Sequence, residues 1–192
     1  MSPSTPSILN ALAPLDHEET AKRRADLAEI DRSCRNTLLL LFGGGTFWLL
    51  VGTIFALISS WKMHSPDFLV SASWLTFGRI RPVHLNLMVY GFSSEFAIGV
   101  TLWLMCRLCR TPLLYGWVIN TAGVFWNLGV AVGAVGILMG HSTGLEWLEI
   151  PAYATPLLFL SLGLMGIWGI VTFRFRREPH LYVSHWYLLA AL

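Results

Sequence analysis

Charge is scarce in this chain: 12% of its 192 residues are Asp, Glu, Lys or Arg, against 55% that are hydrophobic. That balance is too apolar for an ordinary soluble domain and reads as an integral membrane protein. The formal net charge of +2 gives no reason to expect a nucleic-acid partner or a polybasic lipid switch. Cysteine is confined to Cys34, Cys106 and Cys109, which read as free thiols of a reducing compartment. Cys106-Arg107-Leu108-Cys109 is followed by Arg110 where a c-type haem attachment sequence needs histidine. A four-ligand zinc pattern, a phosphate loop and a nucleophile elbow are all missing. Residues 1–36 hold no apolar run long enough for a secretory signal.

Long apolar runs are what the chain does have. A bilayer core takes about twenty apolar residues of helix, and residues 37–61, 83–106, 114–140 and 151–173 qualify. A fifth run, 180–192, rises only about 20 Å as a helix, short of a core of about 30 Å, so the chain is expected to be the front part of a longer one. The fold class is therefore all-α: a polytopic membrane helical bundle with four full transmembrane helices plus the start of a fifth. A tail (1–36) precedes a membrane domain (37–192). In the tail, Asp16 to Arg35 carries the mixed charge of a solvated tether or an interfacial helix, after a Ser/Pro-rich opening of disordered composition.

Charge placement orients the spans. Ten of the thirteen cations, Lys22, Arg23, Arg24, Arg32, Arg35, Arg107, Arg110, Arg174, Arg176 and Arg177, lie in the tail and in the second and fourth connections. The positive-inside rule then puts the amino terminus in the cytoplasm and the first connection, with Lys62, Arg79 and Arg81, at the outer face.

The stretch from Phe77 to Glu95 concentrates the chemistry. A neutral imidazole at the membrane edge ligates iron through one ring nitrogen while a hydrogen bond fixes the other, which makes His84 the candidate axial ligand of a haem. Gly91, seven residues on and nearly two turns away, falls on the same helix face and leaves room for a flat ring. Arg79 and Arg81 lie just outside the span, where the guanidinium fork matches a propionate in two parallel bonds. Pro82 suits the first turn of the helix.

Glu95 lies eleven residues past His84, on its face and about 16 Å deeper. A carboxyl at that depth is costly unless neutral, paired or wet, and is a functional candidate by default. It reads either as a station on a proton path or as an acid bonded to a neighbouring helix.

The other polar residues have plainer readings. His64 reads as interfacial, beside Trp61 and Trp74 of the aromatic belt, and His141 as a remote candidate partner for His84 across a haem. Glu146 and Glu149 read as a solvated loop. His180 and His185, about 140° apart on a helix, make a poor ligand pair. Gly43-Gly44-Gly45 with Gly52, the row Gly129, Gly133, Gly136 and Gly140, and the row Gly163, Gly166 and Gly169 are small-residue faces for helix packing. Asn120 and Asn127 are expected to bond across helices.

Two runs, Phe77-Gly-Arg-Ile-Arg-Pro-Val-His84-Leu-Asn and Arg176-Arg-Glu-Pro-His-Leu-Tyr-Val183, occur in this order two spans apart. Together they resemble the amino-terminal part of the catalytic subunit (subunit I) of cbb3-type cytochrome c oxidases, in the haem-copper oxidase superfamily, over roughly residues 37–192. The resemblance implies truncation from a fold of roughly twelve helices in a bacterial-type inner membrane. It implies that His84 is one axial ligand of the low-spin haem b, with Arg81 near the propionates and Arg79 assisting. In that family the second axial ligand, the high-spin haem b and the copper belong to later helices. The complete subunit would reduce oxygen to water with proton translocation, using electrons from membrane-anchored c-type cytochrome subunits. The alternatives are a nitric oxide reductase of the same superfamily, and a haem-free membrane structural or assembly protein.

Overall fold

A computed structural model of the chain describes residues 17–191, so the Ser/Pro-rich opening lies outside the described residues. Those residues form helices and connections, with no strand among them. The helices are α1 (His17–His64), α2 (Phe77–Leu108), α3 (Gly116–Met139), α4 (Thr155–Arg174) and α5 (Val183–Ala191). The first four are long and apolar enough to cross a membrane. Residues such as Leu39, Leu50, Val124, Phe159 and Ile167 stay exposed on their outer faces, as expected of helices whose solvent is lipid tails.

The sequence leaves the tail open between a tether and a helix. Of its two readings the helix is the one seen: residues 17–36, mostly exposed, are the opening turns of α1, which runs unbroken for 48 residues, about 72 Å. Acidic Glu18 and Glu19 sit in its first turn, where the helix dipole favours them. Burial explains the continuity. Ile30, Cys34, Thr37, Leu41, Gly45, Trp48 and Gly52 recur every three or four residues and are all buried, so one stripe reaches from the charged section into the apolar one.

That stripe packs along the whole of α2. Helix α2 has three parts: an α-helical entry (Phe77–Asn86), a π-helical turn (Leu87–Ser93) and an α-helical continuation (Ser94–Leu108). Its entry starts five residues ahead of Pro82, so the proline is inside the helix and not in the first turn. The N–H that Pro82 lacks would have served the Gly78 carbonyl, and Gly78 is exposed, where water can serve it instead. In the π turn the Ser94 N–H reaches back to the Val89 carbonyl, and the Tyr90 carbonyl accepts the Trp126 indole N–H of α3 at 2.8 Å.

Helices α3 and α4 form the other layer, an antiparallel hairpin in which the glycine row of α3 meets its expected neighbour. A Cβ on Gly129 would lie 2.8 Å from Leu158, and one on Gly133 would lie 3.1 Å from Ile150. On α4 the packing face is Leu158, Ser161, Met165, Trp168, Gly169 and Thr172. The α4 glycine row is thus split: Gly169 is buried in the packing face, whereas Gly163 is exposed and meets nothing within 4 Å.

Polar bonds hold the layers together where apolar burial between helices gains little over lipid. Thr37 donates to Asn120 at 2.7 Å, the Trp48 indole donates to Asn127 at 2.8 Å, and Ser161 donates to the Ala122 carbonyl at 2.6 Å. Asn120 and Asn127 thus bond across helices as expected. The end of α3 is closed by Gly140 at φ +91°, with Gly140 N–H on the Ile137 carbonyl and His141 N–H on the Gly136 carbonyl, the paired bonds of a glycine C-cap.

Candidate functional site

His84 stands two turns into α2, half-buried against α1. Its Nδ1 lies 3.0 Å from the Gly52 carbonyl of α1. A carbonyl can only accept, so Nδ1 carries the proton and the Nε2 lone pair is left for another partner. Nothing among the described residues bonds Nε2, and it is not among the buried atoms that lack a partner. The approach of the helices at this level rests on Gly52, where a Cβ would stand 3.3 Å from the Leu87 Cβ.

The two arginines have different situations. Arg79 is half-buried and donates from Nη1 to the Leu138 carbonyl at 3.0 Å, a cation on the last turn of α3, where the helix dipole favours it. Its Nη2 also lies 3.0 Å from where a Cβ of Gly140 would be. Arg81 is exposed, and no side-chain hydrogen bond engages it among the described residues. It is three residues before His84 and therefore its neighbour on the helix surface. Arg81 is thus free to meet an anion beside His84, while Arg79 is partly committed to the fold.

Gly91 corrects the reading that it makes room for a ring. It does face the same neighbour as His84, but the space is filled: a Cβ there would lie 2.5 Å from the Trp48 Cβ and 2.7 Å from its Cγ. The glycine lets α1 and α2 close on each other, and no flat group fits between them.

Glu95 also faces α1, with no exposed surface. Its Oε2 fills the space beside Gly44, where a Cβ would collide with it, and the Asn127 amide is next to the same spot. The other acidic residues divide. Glu149 is not in a solvated loop; it is buried and accepts the Asn86 amide at 2.6 Å, whereas Glu146 is exposed. With the Tyr90 hydroxyl on the Trp147 carbonyl at 2.9 Å, this bond ties the α3–α4 connection to α2 near His84. His141 is exposed, with Nδ1 3.3 Å from the Tyr153 hydroxyl, and His64 is exposed too. His185 is fully buried in α5, its ring 5.7 Å from Phe173.

Three partners escaped the sequence reading. Gly52 holds His84 through a backbone carbonyl, which leaves no trace in residue type. Asn86 on Glu149 was hidden because a loop carboxylate ordinarily reads as solvated. Trp48 beside Gly91 needed the register of α1 on α2.

The donor set suits a haem. Among the described residues no group of three or more His, Cys, Asp or Glu is arranged to hold a bare metal ion, whereas an axial haem site asks one imidazole of each face. The imidazole here has Nδ1 fixed by a carbonyl, Nε2 unbonded among the described residues, and an unengaged guanidinium as neighbour. Fold and site together define a polytopic helical membrane protein with a half-buried imidazole near one end of its bundle, its Nδ1 on a backbone carbonyl and its Nε2 unbonded among the described residues.

Comparison with known proteins identifies the family. The family model described as Cytochrome C and Quinol oxidase polypeptide I matches residues 36–192, and the chain belongs to that family, the subunit I family of haem-copper oxidases. A cytochrome c oxidase subunit 1 homolog of Agrobacterium tumefaciens (strain T37) is 30% identical over 155 residues, covering 75% of this chain and 26% of the relative. Cytochrome c oxidase subunit 1 of Rhodobacter capsulatus is 28% identical over 151 residues, covering 76% and 28%. The Cbb3-type cytochrome c oxidase subunit CcoN1 of Stutzerimonas stutzeri is 21% identical over 140 residues, covering 73% and 30%. The chain spans about a quarter of the length of the curated relatives it matches.

Proposed function

We propose that this chain is the amino-terminal part of a cbb3-type terminal oxidase subunit I, and that His84 is an axial ligand of its low-spin haem b. The observation that carries the reading is the His84 Nδ1 to Gly52 carbonyl contact at 3.0 Å. It selects the tautomer with Nε2 free, orients the ring and raises its basicity as a ligand. When bound, the haem would supply a one-electron couple. Arg81 would hold a propionate through its fork, with the remaining N–H groups of Arg79 beside it. Arg81 leaves water on binding, and its charge on the propionate edge favours the reduced, less positive centre.

The rest of the reading extends beyond this chain. Electrons would arrive from membrane-anchored c-type cytochrome subunits and pass to a haem-copper centre, with high-spin haem b and copper, built by the remaining helices of the subunit. Oxygen would be reduced there to water with proton translocation. The crowding of cations at the α1 amino-terminal end of the bundle supports a cytoplasmic amino terminus in a bacterial-type inner membrane. Glu95 would be a station for protons on this side of the subunit.

Replacing His84 with leucine in the intact subunit tests the assignment. The expected result is loss of the six-coordinate b-type signal in the reduced-minus-oxidised spectrum, with the helices still assembled. An unchanged signal would overturn it, and the absence of any b-type band from the unmodified subunit would return the chain to a haem-free structural role.

A further inference from the structure

Beyond its position, Glu95 has surroundings that give it a defined chemistry. We infer that Glu95, with Asn127 as its positioning residue, is a membrane-buried site whose proton occupancy rises when the centre on His84 is reduced and falls on oxidation. The inference rests on the haem reading above.

Three observations carry it. Glu95 is 0% exposed, and both its carboxyl oxygens are buried without a hydrogen-bond partner. No ionisable side chain faces it from the packed elements: α1 has none between Arg35 and Lys62, α3 has none at all, and α4 has none before Arg174. On its own helix the preceding ionisable residue is Tyr90, whose hydroxyl is on the Trp147 carbonyl. A carboxylate without a countercharge is disfavoured in such a place, so it depends on a hydrogen-bonding neighbour, and a change of charge nearby shifts the balance between acid and carboxylate.

The third observation is the state of Asn127. Its Oδ1 accepts the Trp48 indole at 2.8 Å and its Nδ2 donates to the Gly123 carbonyl at 3.0 Å. An amide has two lone pairs and two N–H groups, so one of each remains. Both amide atoms lie beside Glu95 Oε2, at 2.9 and 3.1 Å from the point where Gly44 would carry a Cβ. The spare lone pair can receive the O–H of the acid, and the spare N–H can serve the carboxylate. One fixed neighbour thus satisfies both protonation states without moving. Gly44 provides the room, since any side chain there would fill it.

The coupling follows from distance. Glu95 is eleven residues beyond His84, roughly 16 Å along the helix. One electron added there raises the proton affinity of Glu95 about fivefold at the effective dielectric usual for proteins. The electron comes from the one-electron donor of the chain of carriers. The proton comes from water of the aqueous phase and returns to it on reoxidation, so charge balances in both directions.

Redox-difference infrared spectroscopy of the intact oxidase, in H2O and in D2O, is the test, with the visible haem spectrum recorded on the same samples. A protonated-carboxyl band that shifts in D2O and grows on reduction is expected. It should vanish in Glu95→Gln and persist, displaced, in Glu95→Asp. In Asn127→Leu it should move while the b-type spectrum stays unchanged. A six-coordinate b haem with no redox-linked carboxyl band, or a band that survives Glu95→Gln, overturns the role of Glu95 alone. An acid band without any b-type haem overturns the haem reading, and the redox link falls with it.

Discussion

Replacing Gly91 with alanine separates the two roles that a glycine near His84 can have. The added Cβ would sit 2.5 Å from the Trp48 Cβ, where ordinary contact begins at 3.4 Å. The collision is with an atom fixed to the α1 backbone, so no rotamer relieves it. The helices must part by about 1 Å, and overpacking of this kind costs about 1–3 kcal/mol. Parting them also strains the Trp48 to Asn127 bond. Gly43→Ala is the control, because nothing lies within 4 Å of Gly43. Both substitutions gain the same helix propensity, about 0.5–1 kcal/mol, so the difference between them isolates the collision. The assay is unfolding of the intact subunit in detergent, followed by tryptophan fluorescence, with b-haem absorbance recorded in parallel. Gly91→Ala should be less stable than Gly43→Ala by about 1–3 kcal/mol while the folded fraction keeps its haem band. Equal stabilities would refute the packing argument, and a haem band displaced at full stability would restore Gly91 to the ligand site.

Three further substitutions test charges at opposite ends of the bundle. Asp31 accepts the Arg107 guanidinium at 2.6 Å and the Trp103 indole at 2.9 Å, and the bond from Arg107 holds its carboxyl below the usual range. The stability from this depressed group is present above the ordinary carboxylate value of about 3.9 and is lost as pH falls through the lower folded value. With 41% of the Asp31 side chain exposed, the pair is screened by solvent and contributes under about 1 kcal/mol. Asp31→Asn should therefore lower stability slightly at neutral pH and not at all in strong acid; an equal loss at both, in paired denaturation curves, would contradict the assignment. At the His84 end, Arg79→Leu removes a charged bond to the α3 terminus and should cost about 1.5–3 kcal/mol. Arg81→Leu should leave stability unchanged and lower the midpoint potential of the b-type haem in redox titration. An unchanged potential would free Arg81 of any propionate role.

Lipid simplifies one half of the inference from residues to structure. Because a spanning segment must satisfy its own backbone, a long apolar run can only be a helix in a chain of this kind; the four spans follow from composition, as does the suspicion attached to His84 and Glu95. The glycine row of α3 was equally readable, since a Cβ-free stripe on an apolar helix has little use but contact. Residue type could not say which stripes were filled, and by what. The α4 row is buried at Gly169 but faces outward at Gly163, and Gly91 received Trp48 where its spacing from His84 suggested a flat ring. A helix face becomes a site or a seam according to the register of its neighbour, and register is a sum over the whole length of two helices. The carbonyl of Gly52 on His84, the amide of Asn86 on Glu149 and the half-used amide of Asn127 beside Glu95 all depend on that sum. The residues able to do chemistry were therefore visible in the chain, while the protonation each is held in came only from packing.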